Sequence, residues 1–470
     1  MSWREALAPR PMSRIAVLAP ATAMRSALVR IAGAGVVELD RFDGPADDSP
    51  SPAARLLQRL QSPAAEPRLV DAPPDLEALA AAGRADLLDG EAQLAEYAGQ
   101  AVVRGEVAGL VGWTPADQLP VLSQRLAEVG AVAVALPPPR GADPPTATAD
   151  GAASRTFSPL VSTYTTVPYS DIDPTVLAGL AYVVMFGAMF GDVGHGLLLA
   201  GIGVAIRLGL AWPRPVVKLR PHWLFVTAAG MSAAVFGLGY GEFFGPTGVV
   251  PVLWVSPMEQ PVTLLLGGVA LGVVLLAGAY ALGTVNRVRE GGWATALYAP
   301  SGLAGSMLFV ALGLAVPAWY ADSAPLATVA ALLAVAALAL AFTGFWASSG
   351  RGGAGVLQAV VEVFDMVLRL GSNIVSFARL AAFGLTHAVL GWIVWDATTG
   401  LWSAGAAGAV AAVLVFIVGN GLAFALEALV AAVQALRLEY YELFSRVFQT
   451  QGRPFRPWHV PVEDAVREGS

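Results

Sequence analysis

Two regimes of hydrophobic and polar positions divide the chain. Up to about Ser170 apolar residues alternate, or recur at short helical spacing, between polar stretches. Beyond it, long apolar runs dominate. In the first regime, Arg14 to Pro20 reads as a strand, Thr22 to Ala32 as a helix and Gly35 to Asp40 as a second strand. Asp43 to Pro52 is a Pro/Asp/Ser loop. Ala53 to Gln61 and Asp75 to Gln100 predict polar helices forming a short helical hairpin. Arg104 to Trp113 alternates as a strand, and Ala131 to Leu136 is the last strand. Between them, Pro115 opens a helix that runs to Val129. The expected N-terminal domain, residues 1–136, is therefore small and α+β. Pro137 to Ser158 is rich in Pro, Gly, Ala and Thr, and reads as a linker. Linker and membrane entry together occupy 137–173, and 449–470 form a C-terminal tail.

A helix needs about 20 apolar residues to cross a bilayer. About eight stretches in 174–448 approach this: Pro174–Gly191, Val193–Leu210, His222–Phe244, Val262–Asn286, Trp293–Pro317, Leu326–Ala347, Leu357–Trp395 and Leu401–Phe448. Arginines orient them. The loops after the second, fourth and sixth spans hold Arg207, Arg214, Lys218 and Arg220, then Arg287 and Arg289, then Arg351. The alternate loops, around Asp192, Glu242 to Glu259, Asp322 and Asp396, hold no Lys or Arg. The positive-inside rule then puts the even loops and both termini in the cytoplasm. The last two spans exceed a perpendicular crossing, and are expected to tilt, bend or project.

Composition sharpens this picture. The 56% hydrophobic and 13% charged residues exclude an ordinary soluble enzyme. With no cysteine, there is no disulfide, thiolate nucleophile or Fe–S cluster. A net charge of −7 argues against nucleic-acid binding. Met1 to Trp3 lead into charged residues, so no cleaved signal peptide is expected. The soluble part lacks a phosphate-binding loop and reads as a docking domain. No cofactor and no resident metal are expected.

The chemistry lies in charges within apolar helices. Arg379 sits near the middle of the seventh span, where an arginine costs at least about 2.5–3.5 kcal/mol. Asp365 precedes it toward the cytoplasm and His387 follows it toward the outside. Ser372, Ser376, Arg379 and Thr386 share one broad helical face. The eighth span carries Glu427 near its middle, with Gln434 on the same face and Arg437 beyond. Either Arg379 pairs with Glu427 to lock two helices, or the carboxylates and His387 line aqueous paths that Arg379 separates. Asp192 and His195 occupy a Gly-rich turn, where Asp192 is expected to cap the next helix. Gly241 to Pro246 reads as a turn with interfacial aromatics.

These segments resemble, in order, the membrane-embedded stator of rotary V/A-type ATPases, subunit a of eukaryotes and subunit I of prokaryotes. The resemblance rests on Tyr169-Ser-Asp-Ile-Asp-Pro-Thr, Met185-Phe-Gly-Ala-Met-Phe-Gly-Asp-Val-Gly-His-Gly and Phe236-Gly-Leu-Gly-Tyr-Gly-Glu-Phe-Phe-Gly. It continues through Leu370 to Ala388, Leu426 to Phe448 and Gly452-Arg-Pro-Phe-Arg-Pro. Met12 to Ala19, Gly35 to Asp40 and Leu110 to Asp117 resemble the family's soluble part more weakly.

The resemblance implies an α-helical polytopic membrane protein that moves H⁺ or Na⁺ against a rotating proteolipid (c/K) ring in a prokaryotic plasma membrane. Peripheral and central stalk subunits and membrane lipid would be its partners, and ATP chemistry would belong to other subunits. By the same resemblance, Arg379 faces the ring, and Arg437 is a second arginine near it. Glu427 and His387 line the outward half-channel, with Gln434 further along the path. Asp365, Ser372 and Asn373 line the cytoplasmic half-channel, Asp365 standing where many members have Glu. The sequence departs from the family in length: only short helices stand where a long coiled coil and two lobes are usual. A stand-alone secondary transporter or channel is the alternative, which an inverted repeat would favour; none is visible.

Overall fold

The computed structural model describes residues 9–40, 50–60, 66–139, 142–147, 152–209, 220–298, 302–350, 352–448 and 451–463. Arg214, Lys218 and Arg351 of the orientation argument, the first eight residues and most of the Asp43 to Pro52 loop lie outside these. The described residues form two compact units, one within Pro9–Thr148 and Gly452–Ser470, the other within Ala149–Gln451.

In the first unit, strand β1 (Met12–Pro20) leads to helix α1 (Met24–Ala34), which ends at Gly35 in the left-handed region, φ 61°. Strand β2 shrinks to Glu38–Leu39. Helix α2 (Pro52–Leu60), strand β3 (Leu69–Val70), helix α3 (Leu76–Ala81) and helix α4 (Ala85–Gly99) follow. The helix expected over Asp75 to Gln100 is thus two, parted at Gly83, φ 67°. Strands β4 (Val102–Arg104) and β5 (Val107–Pro115) form a hairpin, then come α5 (Leu119–Ala127) and β6 (Val132–Leu136). The sheet runs β2-β5-β1-β6 with β4 on β5, and β1 and β5 pair antiparallel over their full nine residues. Alternation sends Ile15, Val17 and Leu110 into a core closed by Leu28, Ile31, Leu122 and Leu126.

The C-terminal residues belong to this same unit. Trp458 N–H donates to Val37 O (2.9 Å), and Val460 N–H to Ala32 O (3.2 Å). Strand β7 (Val462–Glu463) pairs in parallel with β3. The Trp458 ring lies 4.6 Å from that of Tyr97, and the Glu463 carboxylate pairs with Arg84 at 2.9 Å.

The second unit is helical. The segment read as linker contains α6 (Ala152–Tyr164), which carries Pro159 internally. Next are α7 (Thr175–Met189), α8 (Val193–Leu208), α9 (Trp223–Tyr240), α10 (Pro261–Tyr298, broken by a kink at Gly292, φ 73°), α11 (Leu303–Tyr320) and α12 (Ala324–Ser348). Three more complete it: α13 (Gly353–Ser376), α14 (Ala378–Trp402) and α15 (Ala406–Leu438), which continues as a π-helical turn over Glu439–Phe444.

Among the described residues, six stretches are long and apolar enough to cross a membrane, whereas α7 and α8 are shorter apolar helices of 15 and 16 residues. The single helix expected over Leu357–Trp395 is instead α13 and α14, joined through Phe377. There the N–H groups of Phe377 and Leu380 reach only three residues back, to Ile374 O (3.2 Å) and Phe377 O (3.0 Å). Arg287 and Arg289, read as loop residues, lie on α10. Arg287 is 2% exposed and ion-pairs with Glu290, so its charge is compensated inside the protein.

Small residues set how closely α8 and α9 approach. A Cβ on Gly196 would fall 2.5 Å from Ala234 N and 2.7 Å from Gly230 O. The contact is backbone on backbone, which neither helix can relieve by a rotamer change. Gly196→Val should therefore cost about 1–3 kcal/mol or more. It should appear as a clear drop in the detergent-solubilised protein's melting temperature, and an unchanged melting curve would show that the helices separate freely.

Candidate functional site

The site residues lie on α8, α14, α15 and the turns flanking α8 and α9, all inside the second unit. Asp192 precedes α8. Its Oδ1 accepts from His195 N–H (2.8 Å), the expected cap, and its Oδ2 accepts from Gly245 N–H (2.9 Å). One carboxylate thus ties the start of α8 to the turn after α9. That turn is more than an aromatic edge: Val193 N–H donates to Glu242 O (2.9 Å), and the Glu242 side chain is buried with Oε2 unpartnered among the described residues.

His387, on the buried face of α14, meets Glu427 of α15 through Nδ1 and Oε2. The alternative in which Arg379 pairs with Glu427 is therefore not the arrangement found. Arg379 is half-buried, and its Nη1 has no hydrogen-bond partner among the described residues. His195 lies against His387, with ring centroids 5.5 Å apart. Phe190, Phe244 and Phe424 wall the two imidazoles, at 5.1–5.8 Å from His195. A buried polar group costs free energy unless it is satisfied. Yet neither ring nitrogen of His195, nor Glu427 Oε1, nor Asn420 Oδ1 has a hydrogen-bond partner among the described residues. The site is a polar cluster in an apolar shell, with bonding capacity left open.

The remaining predicted residues are not in this cluster. Asp365 is exposed on α13 and ion-pairs with Arg369 at 2.6 Å, one turn away. Ser372 is exposed, and its carbonyl accepts from the Ser376 hydroxyl (3.0 Å). In the amide orientation that satisfies both its groups, Asn373 donates to Arg369 O (3.0 Å) and accepts from Arg446 (2.6 Å). Thr386 is exposed and its hydroxyl donates to Ala382 O (2.9 Å). Arg437 is exposed, and Gln434 Oε1 is buried without a partner among the described residues.

Sequence reasoning missed Glu242, Asn420, Glu439 and Glu442 as buried polar groups. For the two in apolar runs, Glu242 and Asn420, the available signal was a polar residue breaking such a run, the same signal that singled out Arg379.

Comparison with known proteins bears on the chain as a whole. Residues 100–209 match the V-type ATPase 116kDa subunit family. The A-type ATP synthase subunit I of Aeropyrum pernix is 28% identical over 356 residues, covering 65% of this chain and 50% of that protein. The Pyrococcus horikoshii subunit I is 27% identical over 321 residues, covering 65% and 46%. The V-type ATP synthase subunit I 2 of Treponema pallidum is 31% identical over 174 residues, covering 34% and 36%. The chain spans about half the length of the archaeal relatives it matches. Apolar helices that can cross a bilayer several times, the family match over α7 and α8, and repeated likeness to subunit I point the same way: residues 100–209 resemble the V-type ATPase 116kDa subunit family, and the chain is similar to A-type ATP synthase subunit I.

Proposed function

We propose that this protein is the non-catalytic, ion-translocating stator of a rotary ATPase, working against a rotating proteolipid ring. The observation that carries the reading is the buried His387–Glu427 pair, about two helical turns from an arginine whose Nη1 has no hydrogen-bond partner among the described residues. A permanent cation in lipid is expensive, and a structural arginine would be paired. A free guanidinium edge is suited to a carboxylate that arrives and leaves with each ring subunit. Arg379 keeps that carboxylate ionised as it passes and blocks leakage between two half-channels. His387 and Glu427 relay the ion on the outward side, with Gln434 further along α15. Asp365, Ser372 and Asn373 form the cytoplasmic entrance, and Arg437 is the second cation at the ring.

Two further features support this. The outer face of α15 exposes Leu422, Leu426, Leu429 and Val433 at helical spacing, a surface suited to lipid and to a ring of apolar helices. The chain leaves the first unit at Thr148 and returns to it at Gly452, which fits an even number of crossings, eight with α7 and α8 counted. Both ends are then cytoplasmic by the arginine distribution. The shortened first unit docks the stalk subunits.

Purification from native membranes tests the reading. Ring, stalk and ATP-hydrolysing subunits should come with the chain. If it purifies alone and moves ions by itself in liposomes, a stand-alone transporter replaces the stator.

A further inference from the structure

We propose that Asp192, His195 and His387 form a binding site for a divalent transition-metal ion such as zinc, and that the bound ion closes the outward half-channel. The second half of this rests on the half-channel reading of His387; the first half does not. All three side chains are buried, at 0%, 1% and 5% exposure.

One ligand atom from each lies within 4.8 Å of the other two. Three points no further apart than 4.8 Å share a centre at most about 2.8 Å from each. That is within about 0.8 Å of the 2.0–2.2 Å bonds of zinc to imidazole nitrogen and carboxylate oxygen. Small rotations of two imidazole rings close this gap.

Three observations favour a metal over an idle cluster. First, among the described residues neither ring nitrogen of His195 makes a hydrogen bond within 3.5 Å although the residue is 99% buried: Asn420 is its nearest polar neighbour from α15, and Nδ1 lies 3.7 Å from Asp192 Oδ1. A buried imidazole with two idle nitrogens is a standing cost, which a coordinated ion removes. Second, the surroundings already orient the ligands. His387 Nδ1 is engaged by Glu427, which leaves its other nitrogen free, the carboxylate–histidine–metal arrangement typical of zinc sites. Asp192 is fixed by two backbone N–H donors. Third, the charge is right. The Asp192 carboxylate is itself a ligand and the Glu427 carboxylate meets His387, so a dication enters a region of negative potential.

Two nitrogens and one oxygen select zinc, copper, nickel or cobalt over magnesium or calcium, which prefer oxygen alone. A fourth position stays open to water or to Glu427. Coordination involves no redox change: the metal accepts lone pairs from two neutral imidazoles and a carboxylate. It takes His387 out of proton exchange and sets a fixed positive charge in the path.

The test uses the whole complex, purified without a polyhistidine tag. Co²⁺ should give intense visible d–d bands of a low-coordinate site in the wild type. His195→Gln should abolish them, and Asp192→Asn, which keeps the shape of the cap, should weaken Co²⁺ binding at least about tenfold. Bands unchanged in both variants overturn the site.

Zinc enclosed in the lumen of inverted vesicles, the side on which the outward path opens, should inhibit ATP-driven uptake. His195→Gln should need at least about tenfold more zinc for the same inhibition. Equal sensitivity overturns the closure. A failure of the stator reading shows elsewhere, as missing ring subunits or normal transport without Arg379, and leaves the Co²⁺ bands intact.

Discussion

Arg379→Ala should yield a complex that assembles and hydrolyses ATP but no longer accumulates ions. The sign of the stability effect makes this decisive. Removing a half-buried arginine whose Nη1 has no hydrogen-bond partner among the described residues relieves an insertion cost of about 2.5–3.5 kcal/mol. The variant should therefore insert and fold at least as well as the wild type, and lost transport cannot be ascribed to a damaged helix pair. ATP-driven uptake in inverted vesicles should fall by at least about tenfold, the loss of about 1.4 kcal/mol or more of coupling per step. Arg379→Lys should retain part of the activity, because an ammonium supplies charge but can deprotonate in an apolar setting. Normal uptake by an assembled Arg379→Ala complex would end the reading of this residue as barrier and discharge group.

The second large effect is at Glu427. Glu427→Gln preserves volume and a hydrogen-bonding carbonyl for His387, so the α14–α15 contact should survive. What it removes is the carboxylate that meets His387 Nδ1, a group able to carry a proton. Uptake should fall about tenfold, with melting temperature nearly unchanged. His387→Gln should produce a similar loss, and the double variant should be no worse than either single one, because the two side chains act as a unit. Additive losses would mean that the two lie on separate paths. Glu427→Ala is the less informative change, since it also strands a buried imidazole at a cost of about 1–3 kcal/mol.

The membrane helices were legible because burial in lipid demands length and apolarity, and both are visible residue by residue. Arg379 was legible for the converse reason, as a charge where none is tolerated without cause. The His387–Glu427 contact was not, since forty residues separate the partners and only the packing of α14 on α15 unites them. The Gly241 to Pro246 turn was underestimated. Its role is played by backbone atoms, Gly245 N–H and Glu242 O, which carry no sequence signature. Helix α6 was hidden by the Pro, Gly, Ala and Thr composition of Pro137 to Ser158, which reads as a linker, and Pro159 is tolerated within its 13 residues. Strand β7 was invisible because two residues have no periodicity, and its partner β3 lies almost four hundred positions earlier.

That last pairing carries a consequence for biosynthesis. Trp458, Val460 and β7 fill one side of the first unit, over Ala32, Val37, Tyr97 and Leu69. These residues leave the ribosome only after every membrane helix has been made. The first unit to be translated is thus among the last to be finished, and its apolar flank stays open throughout insertion. A nascent chain stalled or cleaved within the membrane region would display that flank permanently, marking itself for chaperones and proteases.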